Sequence, residues 1–150
     1  MTKIQLLLVF VFSTVTVFAQ TVEYKVITSV ESIVPGGVGR SRIVENNQEV
    51  DHKEFTTIRV DGKDRNSKDV KRKGLKIDNL NETKLLNFYS VAGINFQNIA
   101  SNDAIISSKL NDLSTEGWDL IHVVSGVESD SGETDGNGIF ITRYIFKRTL

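Results

Sequence analysis

The chain contains no cysteine, one proline, one tryptophan and two histidines among its 150 residues. The missing thiols exclude structural disulfides, thiolate metal sites, cysteine nucleophiles and a lipidated N-terminal cysteine. Two histidines are too few for a His-rich metal centre. Neither sign of charge dominates: 18 basic residues face 19 acidic ones, a formal net of −1. Such a balance predicts no general attraction to nucleic acid or to an anionic membrane. No Gly-x-Ser-x-Gly nucleophile elbow occurs, and no stretch beyond residue 20 is long and apolar enough to span a bilayer. What remains has the composition of one ordinary globular domain, with 39% hydrophobic and 25% charged residues.

The first residues read as an export signal. Lys3 is the only charge before Gln20, and Ile4 to Phe18 form an apolar run interrupted only by Gln5, Ser13, Thr14 and Thr16. Val17 and Ala19 supply small residues at the −3 and −1 positions, which predicts cleavage after Ala19. Residues 1–19 are therefore expected to be a signal peptide and 20–150 a single domain. That domain carries 17 basic and 19 acidic residues. It is expected to be exported, periplasmic or extracellular, and without stable membrane insertion once the signal is removed.

Hydrophobic periodicity then divides the domain. Val22 to Val34 alternates as a strand, with Tyr24, Val26 and Val30 on one face and Ile27 and Ile33 on the other. Pro35-Gly36-Gly37 breaks it, Ser41 to Glu45 is a short returning strand, and Phe55 to Val60 a better one ended by the turn dipeptide Asp61-Gly62. Glu82 to Ala92 carries Leu85, Leu86, Phe88, Tyr89, Val91 and Ala92 and predicts a helix capped by Asn81. A second helix has the stripe Ile105, Ile106, Leu110 and Leu113, a cap at Ser101 or Asn102, and a stop at Gly117. Trp118 to Val124 and Ile139 to Lys147 read as antiparallel neighbours, the latter apolar on both faces and so interior to a sheet. The expected fold is α+β: a mainly antiparallel sheet with two helices packed on one face.

The joint Leu110-Asn111-Asp112-Leu113-Ser114-Thr115-Glu116-Gly117-Trp118-Asp119-Leu120 and the ending Ile145-Phe146-Lys147-Arg148 resemble a small bacterial domain family of unknown function. Its helix ends in Gly-Trp-Asp/Glu-Leu, and its last strand ends in a basic residue after Phe. Tyr24-Lys25-Val26-Ile27 is similar to the opening strand of that family. The resemblance covers the first strand and roughly the last 45 residues. It implies a fold and no activity.

Three constellations carry possible chemistry. Asp130, Glu133, Asp135 and Asn137 alternate with glycines between the last two strands, a pattern of oxygen donors that suits Ca²⁺. The twelfth position of such a loop would be Tyr144, where a bidentate Glu is needed. A basic stretch from Lys63 to Lys76, with Lys71, Arg72 and Lys73 at its centre, suits an anionic partner but lacks the aromatics that stack bases. Arg40 and Arg42 flank the glycine turn and could clamp an anion, although the Walker spacing is absent. His122 alternates with Leu120 and Val124 as a half-buried structural histidine, and His52 lies in a polar turn; together they are the basis of a small-hydrolase reading. The leading expectation is an exported, non-catalytic binding or structural module whose partner is a protein or envelope component, not nucleic acid. A calcium- or anion-dependent binder is the alternative.

Overall fold

The computed structural model describes residues 21–33, 41–64, 72–90, 92–128 and 138–150. Its centre is a five-stranded antiparallel sheet in the order β5-β2-β1-β9-β8. The strands are β1 (Val22–Ser32), β2 (Arg42–Asn46), β5 (Leu80–Lys84), β8 (Asp119–Glu128) and β9 (Ile139–Thr149). Two small hairpins, β3 with β4 (Arg59–Val60, Lys63–Asp64) and β6 with β7 (Tyr89–Ser90, Gly93–Ile94), project from the connections. β1 and β9 pair along their whole length, from Val22 opposite Thr149 to Ser32 opposite Ile139. The pairing is closed at one end by Leu150 N–H donating to the Thr21 carbonyl at 2.9 Å.

One long helix, α1 (Phe96–Thr115), crosses the sheet face that carries the odd-numbered residues of β1. Leu113 of α1 meets Ile27, Ile43, Leu85, Trp118 and Phe146 in the buried core, with Ile105, Ile106 and Leu110 packed against it. This stripe follows the helical period read from the sequence. The helix starts earlier than its stripe suggests. Asn95, not Ser101 or Asn102, is the cap, its Oδ1 accepting from the N–H groups of Gln97 and Asn98. The first turn is largely exposed, so no apolar period marks it.

The C-terminal joint closes as a Schellman motif. Gly117 has φ +84°, its N–H donates to the Ser114 carbonyl, and the Trp118 N–H donates to the Leu113 carbonyl. Trp118 and Leu113 then meet in the core, the apolar contact that accompanies this motif. The Asp61-Gly62 turn also forms as read, both residues at positive φ between β3 and β4.

The expectation of two helices is overturned. Among the described residues α1 is the only helix longer than a single turn, and the segment read as a helix over 82–92 holds β5 and the β6–β7 hairpin. Its backbone groups are committed elsewhere. The Leu85 N–H donates to the Ser41 carbonyl, and the Leu86 N–H and C=O both pair with the Asn102 side chain. The Asn98 amide donates to the Asn87 carbonyl. With those partners satisfied, no i to i−4 ladder can form through 85–87. The strand expected over 55–60 is also shortened: His52–Phe55 is a 3-10 turn capped by Asp51, and only Arg59–Val60 pairs.

Asn102→Leu should lower stability by roughly 3 kcal/mol, because both backbone groups of Leu86 and the Glu31 carboxyl lose a buried partner together. Urea unfolding checks the figure. Gly117→Ala should cost about 1–2 kcal/mol from the left-handed backbone alone, since a Cβ there meets only Arg148 Cδ at 3.7 Å.

Candidate functional site

Two surfaces compete as the site: the polar seam under α1 and the sheet face that α1 leaves open. The seam arises because β1 and β2 place polar residues at positions facing the helix. Glu31 and Ser29 of β1, Ser41 beside β2, Glu45 of β2 and Asn102 of α1 are all buried. Asn102 Nδ2 donates to Glu31 Oε1 at 2.8 Å. Glu45 is held by two ammonium groups, Lys25 of β1 at 2.9 Å and Lys109 of α1 at 2.7 Å. Beside them the Arg148 guanidinium lies 4.3 Å from the Trp118 ring centroid, and Lys25 Nζ lies 5.2 Å from it. Arg148 also bonds the Glu23 carboxylate at 2.7 Å.

The two carboxyls of the seam are tuned in opposite directions. Burial pushes the Glu31 carboxyl above its ordinary value, and the Asp103 charge adds to this against the Asn102 hydrogen bond. For Glu45 burial acts in the same upward sense, but the hydrogen bonds and charges of Lys109 and Lys25 outweigh it and hold the group below its ordinary value. Burial likewise raises the Tyr144 phenol, with Glu31 and Asp103 reinforcing it. Asn102 with Glu31 and Lys109 with Glu45 join the helix to the sheet, Lys25 with Glu45 joins β1 to β2, and no histidine stands among them. The arrangement fastens α1 to the sheet.

The opposite face has another character. On β1 the even-numbered residues Val22, Tyr24 and Val26 are exposed, Tyr24 to 64%. Register continues this face through Ile145 and Ile141 of β9 and Val124 of β8, with Lys147 and Arg143 between them. An open hollow lies at its β2 side, bounded by Tyr24 and Val26 and by the polar turn from Asn46 to Glu49. An apolar patch with a polar rim is the usual form of a protein contact surface.

The residues singled out from sequence are dispersed. Asp130, Glu133, Asp135 and Asn137 lie outside the described residues, as do Arg40, Lys71 and the expected signal peptide at 1–19. Arg42 sits on β2, its guanidinium paired with Glu82 across β5. Arg72 and Lys73 fall in a separate 3-10 turn, Arg72–Leu75. His52 is exposed beside Asp51, as expected, at 3.9 Å between Nδ1 and Oδ1. His122 is exposed on β8 instead of half-buried: a register shift between Leu120 and His122 sets it opposite Ile145, on the face away from α1. Among the described residues, no group of three or more His, Asp or Glu could hold a metal ion, and no helix is long and apolar enough to cross a membrane. No family model, curated protein or solved structure matches the chain.

Sequence reading missed the seam. It assigned no role to Lys25, Glu31 or Glu45; the available signal was their shared parity with the core residues Ile27 and Ile43.

The seam yields a pH prediction. A carboxyl raised above 4.5 weakens the fold as pH climbs through its folded value, and has no effect below the unfolded one. Glu31→Gln should therefore raise the unfolding midpoint at pH 7, with the gain fading below pH 4.5. Glu45→Gln should do the reverse, losing stability at pH 7 and little in acid, where the lowered carboxyl of the parent has itself been protonated. Thermal melts of both variants across pH 3.5–8 check the pair of signs, within the span over which carboxyls titrate.

Proposed function

We propose that this chain is an exported, non-catalytic binding module that engages a protein or envelope component through its helix-free sheet face. One observation carries the reading. On β1 the face left open bears Val22, Tyr24 and Val26, all exposed, and half-buried Val30, while the helix covers the side bearing Lys25, Ser29 and Glu31 beside the core residue Ile27. Burial of apolar surface drives folding, so a strand that leaves its more apolar side uncovered keeps those side chains for a contact. Tyr24 adds a large rigid ring and a hydroxyl, a combination favoured at interfaces. Arg143 and Lys147, interleaved with Ile141 and Ile145 on β9, and the polar turn from Asn46 to Glu49 beyond β1 supply groups for orientation. The resemblance at the Gly-Trp joint is a proposed relation of fold and adds no activity.

The test is capture from envelope and extracellular fractions with the purified chain as bait. Tyr24→Ser combined with Val26→Ser should abolish capture while shifting stability by about 1 kcal/mol or less, both positions being exposed. Equal recovery by bait and variant would move the contact off this face.

The calcium alternative separates by a thermal melt in EDTA and in millimolar Ca²⁺. The present reading expects no shift. A ligand at about 100 times its dissociation constant adds about 2.7 kcal/mol, enough to raise the midpoint by several degrees. Such a rise, abolished by Asp135→Ala, would establish the acidic loop as the site instead.

A further inference from the structure

The two edges of the sheet are built differently. β5 is five residues long and carries Glu82 and Lys84, charges that discourage pairing with another chain. β8 is ten residues long, and between its terminal Asp119 and Glu128 it carries no carboxylate, lysine, arginine or proline. Its inner side pairs with β9, and among the described residues no strand pairs with its outer side. It is also apolar on both faces: Leu120, Val123 and Val127 on the helix side and Val124 on the other, all exposed, Val127 to 60%. A strand apolar on both faces has the pattern of an interior strand.

We infer that β8 pairs antiparallel with β8 of a second copy of this chain, joining the two five-stranded sheets into one. This is independent of the open-face reading, since it uses the strand's edge. A two-fold axis normal to the sheet pairs residues of equal parity and makes every contact twice. The charge pattern selects the register. Centred on Ser125, the pairing sets Val123 opposite Val127, Val124 opposite Gly126, and His122 opposite Glu128. Moving the centre to Val124 faces Glu128 with Leu120 and His122 with Gly126. Moving it to Val123 sets Asp119 against Val127. Only the Ser125 register among the three places apolar opposite apolar and Glu128 opposite the strand's one histidine. Gly126 leaves room for the facing Val124, since even a Cβ there would meet nothing within 4 Å.

The absence of cysteine makes the register measurable. In the full chain, Ser125→Cys puts two thiols across the dyad, at the Cα separation of directly opposed antiparallel residues, about 4.5–5.5 Å, which a disulfide can span. Val123→Cys puts them four residues out of step, about 13 Å apart, too far to bridge. Sedimentation of the parent should show a dimer. Mild oxidation should link the Ser125→Cys chain and leave the Val123→Cys chain unlinked. Val127→Lys, at an exposed position that the monomer tolerates, should weaken the dimer about tenfold or more, since symmetry removes the apolar cross-strand pair twice. A parent that sediments as a monomer at all concentrations overturns the inference, as does a dimer that Val127→Lys leaves intact. Linking at Val123 in place of Ser125 overturns the register.

Discussion

The structure depends on one buried amide. Asn102, 1% exposed in the middle of α1, accepts from the Leu86 N–H, donates to the Leu86 carbonyl and donates to Glu31. A carboxamide has the same donor and acceptor pair as a peptide group, so toward Leu86 it stands in for a neighbouring strand. Three segments far apart in sequence are thereby held in one place: the end of β1, the chain leaving β5, and the helix. Ser41 extends the same corner, its hydroxyl bonding the Ser32 N–H and the Asn87 side chain. An apolar side chain at 102 would fill the space but could not dictate which backbone it met.

The seam that surrounds this amide is polar at one end and apolar at the other. Ile27, Leu113, Trp118 and Phe146 supply the non-directional part of the stabilisation. The ion cluster of Lys25, Glu45 and Lys109 adds directional contacts, whose desolvation offsets much of their attraction. Its role is geometric. A helix resting on hydrophobic contacts alone can slide by a residue or rotate by a fraction of a turn at small cost, whereas a carboxylate shared by an amine from each layer fixes both displacements.

What the sequence revealed follows the range of the interactions involved. β1, β9 and the Gly117–Trp118 joint were legible because alternation, helical period and glycine stereochemistry act within a few residues. The segment from Leu80 to Ile94 was not. Its dense apolar residues suit a helix locally, and it became strand and hairpin because Ser41, Asn98 and Asn102 hold its backbone from a distance. The two faces of β1 were separable by parity, yet which one the helix would cover was not, since the covered face holds Lys25, Ser29 and Glu31. Partners on β2 and α1 reverse the usual preference there, and no local pattern announces them. His122 looked half-buried because simple alternation puts it on the face of Leu120, whereas a register shift between the two turns it to the helix-free side.

The full-length pairing of β1 with β9 brings Thr21 and Leu150 together at the end of two interior strands of the sheet. A load applied through these two points pulls across the strands instead of along them. It falls on the Leu150–Thr21 hydrogen bond first and on each following pair in turn, never on the whole ladder at once. The fold therefore yields to tension at its paired ends by unzipping, at a force set by one pair of residues, while the same sheet loaded along its strands would have to break many bonds together.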